Sequence, residues 1–321
     1  MKKSHCKAFL VLLSATLSML FSTGCTAVQV RDRTYLQALE LHTAENIEES
    51  DAAYRVGVHD FREAETGAAA VCSGETLTEA LTQAAVETGG ELFLGHLELL
   101  AYENGADAAN FSQWMKTYQL SASCFILGLP DGDNLTEIDT SRLAEQLRYA
   151  AENAVLPETN LQSVLKELAG SAGTALIPVY RDGSIAMAVI TEYQYCAILS
   201  AEAVQGLCWL RGDSYPAAIA LTDGESFSVL SSSTQLTAKT ESDHAVVTIT
   251  IYLKGNGNFE SARAQIEQQC NAAIQETVRS LSADVFDLEA CLQSQCYAYL
   301  MKTGWKQAAE DVTFDIRVEE K

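Results

Sequence analysis

Two rhythms of apolar residues alternate along this chain, and the places where one gives way to the other predict its elements. After a short polar leader at 28–33, Thr34 to Leu41 and Tyr54 to Phe61 each read as a strand. The acidic run Glu45 to Asp51 between them reads as a solvated turn rather than a cation site. A small-residue strand, Ala68 to Cys72, leads into Thr76-Leu77-Thr78-Glu79. That is a capping box, in which the Thr76 hydroxyl meets the Glu79 amide and Glu79 reaches back. Leu77, Ala80, Leu81, Ala84 and Ala85 then recur at helical spacing until Gly89-Gly90. Leu92 to Leu100 reads as one largely buried strand, Ala106 to Tyr118 as an amphipathic helix, and Cys124 to Leu129 as a strand closed by Pro130-Asp131-Gly132.

Helices are predicted at Thr140–Asn153 and Asn160–Leu168. Thr174–Tyr180 and Ser184–Tyr193, joined by Asp182-Gly183, form a hairpin. Ser200 caps a helix that runs to Trp209 and stops near Gly212, and Pro216–Leu221 is a short strand. Two longer strands follow, Phe227–Thr240 and Ala245–Leu253. The next helix, from Phe259 to about Leu281, places Ala262, Ile266, Cys270, Ala273, Thr277 and Leu281 on one face. It is about 35 Å long at 1.5 Å per residue. A further helix begins at Asp287, Trp305 packs near the turn after it, and Val312–Val318 alternates as a closing strand. The expected class is therefore α+β or mixed α/β, with mixed, largely antiparallel sheets flanked by helices. The expected domains are residues 25–130, 131–223 and 224–321, the last holding the long helix.

Ahead of these elements stand Lys2, Lys3 and Lys7, an apolar run from Ala8 to Phe21, and then Ser22-Thr23-Gly24-Cys25. A basic tip, a greasy core and small residues are the three parts of an export signal. The apolar run is shorter than the roughly 20 residues a spanning helix needs. Cys25 directly after Gly24 is placed to take a diacylglyceryl thioether once residues 1–24 are removed, and the alternative is plain secretion with cleavage after Ala27. A diacylated Cys25 would hold the chain on a membrane, because two acyl chains suffice for stable anchoring.

Removal of 24 of 321 residues leaves 297, enough for two or three domains. Loss of the three lysines takes the formal charge from −22 to −25. A field of that sign repels nucleic acid and anionic lipid alike, which argues against binding to either through charge. Of nine cysteines, Cys72, Cys124, Cys196, Cys208, Cys270, Cys291 and Cys296 follow Cys25. An odd number without paired short spacings is a poor disulfide framework, so these read as free buried thiols.

Candidate chemistry is sparse. His96, taken as mid-strand between apolar residues, has no nucleophile beside it and reads as structural, while His42, His59 and His244 read as isolated surface groups. Asp131-Gly132-Asp133-Asn134 begins like a calcium loop but lacks its later ligands. Gly255-Asn256-Gly257 lacks the third glycine of a dinucleotide fingerprint. No Gly-x-Ser-x-Gly elbow, phosphate loop, Cys-x-x-Cys or His-x-x-x-His occurs. The reading is a chain without catalytic residues, cofactor or metal.

Three segments carry a resemblance. SGETLTEALTQAAVETGGELFLGHLELLAYENGAD (Ser73–Asp107), GLCWLRG (Gly206–Gly212) and ADVFDLEACLQSQ (Ala283–Gln295), with Trp305 downstream, resemble the Ger(x)C family. These are the lipoprotein C subunits of nutrient germinant receptors in spore-forming bacteria. The resemblance implies three α/β domains and lipidation at Cys25. It also implies integral membrane partners of the A and B types, and a place at the outer face of the spore inner membrane, in nutrient-triggered germination. It supplies no catalytic residue. A solute-binding lipoprotein of a transport system is the alternative, and it would need two similar lobes around a cleft.

Overall fold

The computed structural model describes residues 33–43, 53–61, 68–103, 105–130, 134–136, 138–170, 172–212, 215–221, 224–242 and 244–321, with the side chains of 105–107 outside that description. Cys25, the signal region and the acidic run Glu45 to Asp51 lie outside the described residues.

The first sheet is built on β1 (Arg33–Thr43), buried along nearly its whole length. Its strand order is β3-β2-β1-β5-β6-β7-β8-β9, with β4 also on β1. The other strands are β2 (Tyr54–Asp60), β3 (Ala70–Gly74), β4 (Glu91–Phe93), β5 (Leu99–Tyr102), β6 (Phe125–Gly128), β7 (Thr174–Arg181), β8 (Ser184–Thr191) and β9 (Gln194–Ile198). β1 pairs antiparallel with β2 and parallel with β4 and β5, so both ladder types meet on one strand. A β-bulge between Leu36 and Ala38 separates the stretch facing β4 from the stretch facing β5.

Helices cover both faces. α1 (Leu77–Thr88), α2 (Phe111–Tyr118) and α4 (Leu161–Leu168) bury Ala80, Ala84, Phe111, Trp114 and Val164 against Leu36, Leu39 and Leu41. α3 (Thr140–Glu152) packs Leu143, Ala144 and Leu147 on the other face, against Ala38 and Leu99.

The second sheet, β10-β11-β12-β13, contains β10 (Ala218–Ala220), β11 (Ser226–Glu241), β12 (His244–Asn256) and β13 (Thr313–Glu320). In β12 the period-two rhythm buries Ala245, Val247, Ile249, Ile251 and Leu253 on one face. α5 (Ala201–Arg211) and α6 (Phe259–Ile274) form a core with that face, to which β7 and β8 contribute Leu176, Met187 and Val189. α6 continues through a π-helical turn at Gln275–Arg279, as the long helix predicted from Phe259 to Leu281.

Three sequence expectations change. The single strand predicted from Leu92 to Leu100 is β4, a turn at Gly95-His96, and β5. Gly95 permits that turn, because a Cβ there would sit 2.8 Å from the Phe93 ring. The helix predicted from Ala106 begins as a 3-10 helix, Gly105–Asn110, before α2. The helix predicted from Asp287 is three short ones, α7 (Leu288–Gln295), α8 (Tyr297–Thr303) and α9 (Trp305–Asp311). The Arg279 guanidinium donates to the carbonyls of Ala309, Glu310 and Val312, closing the last turn of α9.

The capping box departs in one bond. Thr76 accepts from the Glu79 amide at 3.2 Å, but Glu79 reaches the amide of Glu75 at 3.0 Å. β9 is an element the sequence reading lacked; it follows β8 through Glu192 and Tyr193, both at positive φ, as a tight two-residue hairpin requires.

Candidate functional site

Two of the segments singled out in the sequence, GLCWLRG and ADVFDLE, come together where the first sheet meets the second. In the first, each residue has a separable task. Gly206 lets α5 cross α6 closely, since a Cβ there would stand 2.0 Å from the Gln269 carbonyl oxygen. Leu207, Trp209 and Leu210 are buried, and the Trp209 indole donates to Gln269 Oε1 at 3.0 Å. Gly212 ends the helix in the left-handed conformation at φ 67°. Arg211, the segment's charged residue, turns toward α4.

In the second segment Ala283, Val285, Phe286 and Leu288 enter the core. The Asp284 carboxylate accepts from the amides of Leu288 at 2.9 Å and Glu289 at 2.8 Å, which caps α7 from four residues upstream. Its own backbone is held by the Thr174 hydroxyl, which accepts from the Asp284 amide and donates to its carbonyl, both at 3.1 Å. Asp287, in the left-handed region at φ 60°, makes no side-chain cap and instead meets Lys166 Nζ at 3.0 Å with both oxygens.

Between these segments and α4 lies a cleft of about 530 Å³, lined among others by Lys166, Glu167, Arg211, Asp284, Asp287 and Gln293. At its base Arg211 Nη1 donates to Glu167 Oε1 at 2.6 Å, and Glu167 Oε2 accepts from the Leu176 amide at 2.9 Å. Arg211 Nη1 also reaches the Val285 carbonyl at 3.4 Å. One buried ion pair thus ties α4, β7, α5 and the Asp284 loop together. Burial pushes the Glu167 carboxyl upward, against the pull of the Arg211 guanidinium. Burial also pushes Asp284 upward, opposed by the three amides it accepts from.

A second polar cluster sits inside the first sheet and corrects the reading of two histidines. His42 and His59 are buried rather than on the surface. His42 Nε2 lies 2.7 Å from Glu40 Oε1 and its Nδ1 3.0 Å from Glu103 Oε2. The Leu135 amide donates to Glu40 Oε1 at 2.9 Å, and His59 Nε2 stands 3.9 Å from Glu40 Oε2. Burial alone would raise the Glu40 carboxyl; the neighbouring His42 and His59 and the Leu135 amide outweigh it and hold the group down at about 2. Burial would lower His42, but Glu40 and Glu103 raise it above its ordinary 6.5. Gly57 makes room for the Glu40 carboxylate, because a Cβ there would lie 2.9 Å from Glu40 Oε2. A one-dimensional reading had no signal for this cluster beyond an acidic residue two places before a histidine.

His96 is exposed in its turn, not mid-strand, and its ring lies 5.3 Å from that of Phe93 and 6.1 Å from that of Tyr35. His244 opens β12, half-buried. The seven cysteines among the described residues are free thiols. Cys72, Cys124, Cys208, Cys270 and Cys296 are buried, as expected, whereas Cys196 is exposed and Cys291 half-buried. Burial pushes Cys72 up to about 11 and Cys124 up to about 12, far from thiolate chemistry. Among the described residues no group of three or more His, Cys, Asp or Glu is placed to hold a metal ion. Asp131 to Asp133 lie outside the description, and Asn134 accepts from the Thr136 amide in a local turn. No helix among the described residues is long and apolar enough to cross a membrane.

Residues 185–321 match a family model described as "Spore germination B3/ GerAC like, C-terminal". Among solved structures the chain is similar to the crystal structure of the GerBC protein, at 14% identity over 70% of this chain and 78% of that one, with a TM-score of 0.47. Comparison with curated proteins gave no match. The matched span begins with β8 and takes in both Arg211 and Asp284 of the cleft. Residues 185–321 are thus similar to the C-terminal part of spore germination B3/GerAC-like proteins.

Proposed function

We propose that the chain is a lipid-anchored, non-enzymatic subunit of a membrane germinant receptor complex acting in nutrient-triggered spore germination. Acylated Cys25 holds it at the outer face of the spore inner membrane, beside integral membrane subunits of the A and B types. The family match over residues 185–321 carries the reading. The placement of Cys25 behind a short apolar run and small residues supports the anchor. In the cleft Arg211 pairs with Glu167 and Lys166 with Asp287, while Asp284 caps a helix through backbone amides, an arrangement suited to holding a shape for partners to recognise. The rival reading, a solute-binding lipoprotein, calls for two similar lobes. The nine-stranded mixed sheet and the four-stranded one differ in size and order.

Mass spectrometry of the mature N-terminus tests the anchor. The expected species begins at a diacylglyceryl-modified Cys25, and an unmodified peptide beginning at Val28 would overturn the proposal. Cys25→Ala is expected to release the protein from membranes and to weaken the germination response. Retention of full membrane binding and response in that variant would remove lipid tethering as its mode of action.

A further inference from the structure

We propose that the end of the first sheet where β1 begins is a membrane-docking face, whose occupant is the headgroup region of a lipid bilayer. Four side chains meet there, and Phe61 stands at the end of the strand beside them. Arg33 lies over the Phe93 ring, 5.2 Å from its centroid. Tyr35 packs edge-on to Phe93 at 5.4 Å, and His96 contacts both rings. Phe61 sits across the β1–β2 ladder from Tyr35, its amide donating to the Tyr35 carbonyl at 3.3 Å. The group does not belong to any buried core: Phe61 is 45% exposed, His96 is exposed, and Tyr35, Phe93 and Arg33 are half-buried.

Aromatic rings with a polar rim, standing at the surface, are the chemistry that settles at the headgroup level of a bilayer. The sign of the whole chain, −22, sets the rest of the body against an anionic surface, so lipid contact has to be small and local. Arg33 supplies the cationic group at this end, 3.7 Å from the Glu91 carboxylate on the neighbouring strand, so the charge there is nearly balanced and the aromatic rings carry the contact.

The position of the chain's tether selects this face. Arg33, part of the cluster, is eight residues after Cys25. Eight residues reach at most about 29 Å when fully extended. An anchor at Cys25 therefore keeps Arg33 within that distance of the bilayer, and the inference rests on the reading that Cys25 is that anchor. Gly95 has a role here too: it leaves room for the Phe93 ring beside His96, which a Cβ at that position would crowd at 2.8 Å.

The test separates docking from lipidation by supplying an artificial tether. The chain from residue 25, carrying Cys25→Ser and a hexahistidine tag in place of residues 1–24, is held on nickel-chelating vesicles of brominated phosphatidylcholine. An indole is introduced by Phe61→Trp on the proposed face, or by Met301→Trp on exposed α8 as the control; near-ultraviolet circular dichroism confirms that each variant is folded. The expected result is a loss of the introduced indole's fluorescence in Phe61→Trp, with none in Met301→Trp. No loss at Phe61→Trp on protein-free vesicles overturns the proposal, even if membrane subunits were to shield the same face. Equal loss in both variants also overturns it, since that would mean contact without orientation. Failure of the anchor at Cys25 is read separately, by the mass of the natural N-terminus.

Discussion

At the scale of single residues, the cleft offers two ion pairs of the same chemistry in opposite surroundings. Arg211 and Glu167 are about one-tenth exposed, whereas Lys166 and Asp287 are about two-thirds exposed. Removing one partner of a buried pair strands the other in a medium that cannot solvate it, at a cost of about 3–5 kcal/mol. An exposed pair is worth about 1 kcal/mol or less. Arg211→Met is therefore expected to lower stability by several kcal/mol in urea denaturation, and Lys166→Met to change it little. A double-mutant cycle with Glu167→Gln should show strong coupling for the buried pair. Gly206 supplies a second prediction. Alanine there puts a methyl group 2.0 Å from the Gln269 carbonyl oxygen, closer than any side chain can move to relieve, because the obstacle is backbone. Overpacking of a core contact costs about 1–3 kcal/mol. Gly206→Ala should cost at least that in thermal denaturation, with the loss seated at the α5–α6 crossing.

At the scale of elements, β1 and β2 carry a charge cluster whose titration can be followed. Glu40 is lowered from 4.5 to about 2, so its contribution is present above pH 4.5 and lost as pH falls toward 2. His42 is raised above 6.5, so its contribution is complete below pH 6.5 and lost as pH rises through the raised value. Together they place the cluster's greatest stabilisation between about pH 4.5 and 6.5. Urea midpoints across pH should fall on the alkaline side of that window, and His42→Gln should flatten that fall. A wild-type midpoint that keeps rising above pH 7, with no difference in the variant, would contradict it. The elements that were legible in the sequence are those whose cause is local. The alternation in β12, the Ser200 cap and the Gly212 stop each depend on a few neighbouring residues. The elements that were not legible depend on distant ones. Leu92 to Leu100 looks continuous, yet it breaks because β4 and β5 pair with two stretches of β1 separated by a bulge. His42 and His59 look isolated because Glu40 and Glu103 reach them only after β1 has been enclosed by its neighbours. The same holds for the cleft. Both segments that line it were visible, but Glu167, which joins them, lies in an ordinary amphipathic helix.

At the scale of the whole molecule, the question is how far the second sheet stands on its own. The predicted turn at Asp223-Gly224 places an expected boundary at 223/224, and the family match begins at residue 185, inside the β7–β8 hairpin. Neither cut follows the packing. The largest core joins Leu176, Met187 and Val189 from the first sheet to Trp209 and Leu210 of α5 and to Ile249, Ile266 and Phe286 beyond them. Cutting at 185 removes β7, the antiparallel partner of β8 along its whole length, and with it Leu176 and the Thr174 hydroxyl that holds Asp284. It also removes Glu167, to which the Arg211 guanidinium donates at 2.6 Å. Cutting at 223/224 removes α5 as well and bares the face of α6 that carries Ile266, Cys270 and Ala273. Each newly exposed aliphatic side chain costs about 1.5–3 kcal/mol, against a total stability of about 5–15 kcal/mol for a domain. A fragment of residues 185–321 is therefore expected to lack a cooperative melting transition and native near-ultraviolet circular dichroism, and a fragment of 224–321 to be less ordered still. The chain from residue 33 to 321 should melt cooperatively through the shared core. A sharp transition from 185–321 alone, at a temperature near that of the longer chain, would show that the joint at Glu167 and Arg211 is an interface between independent units rather than the centre of one.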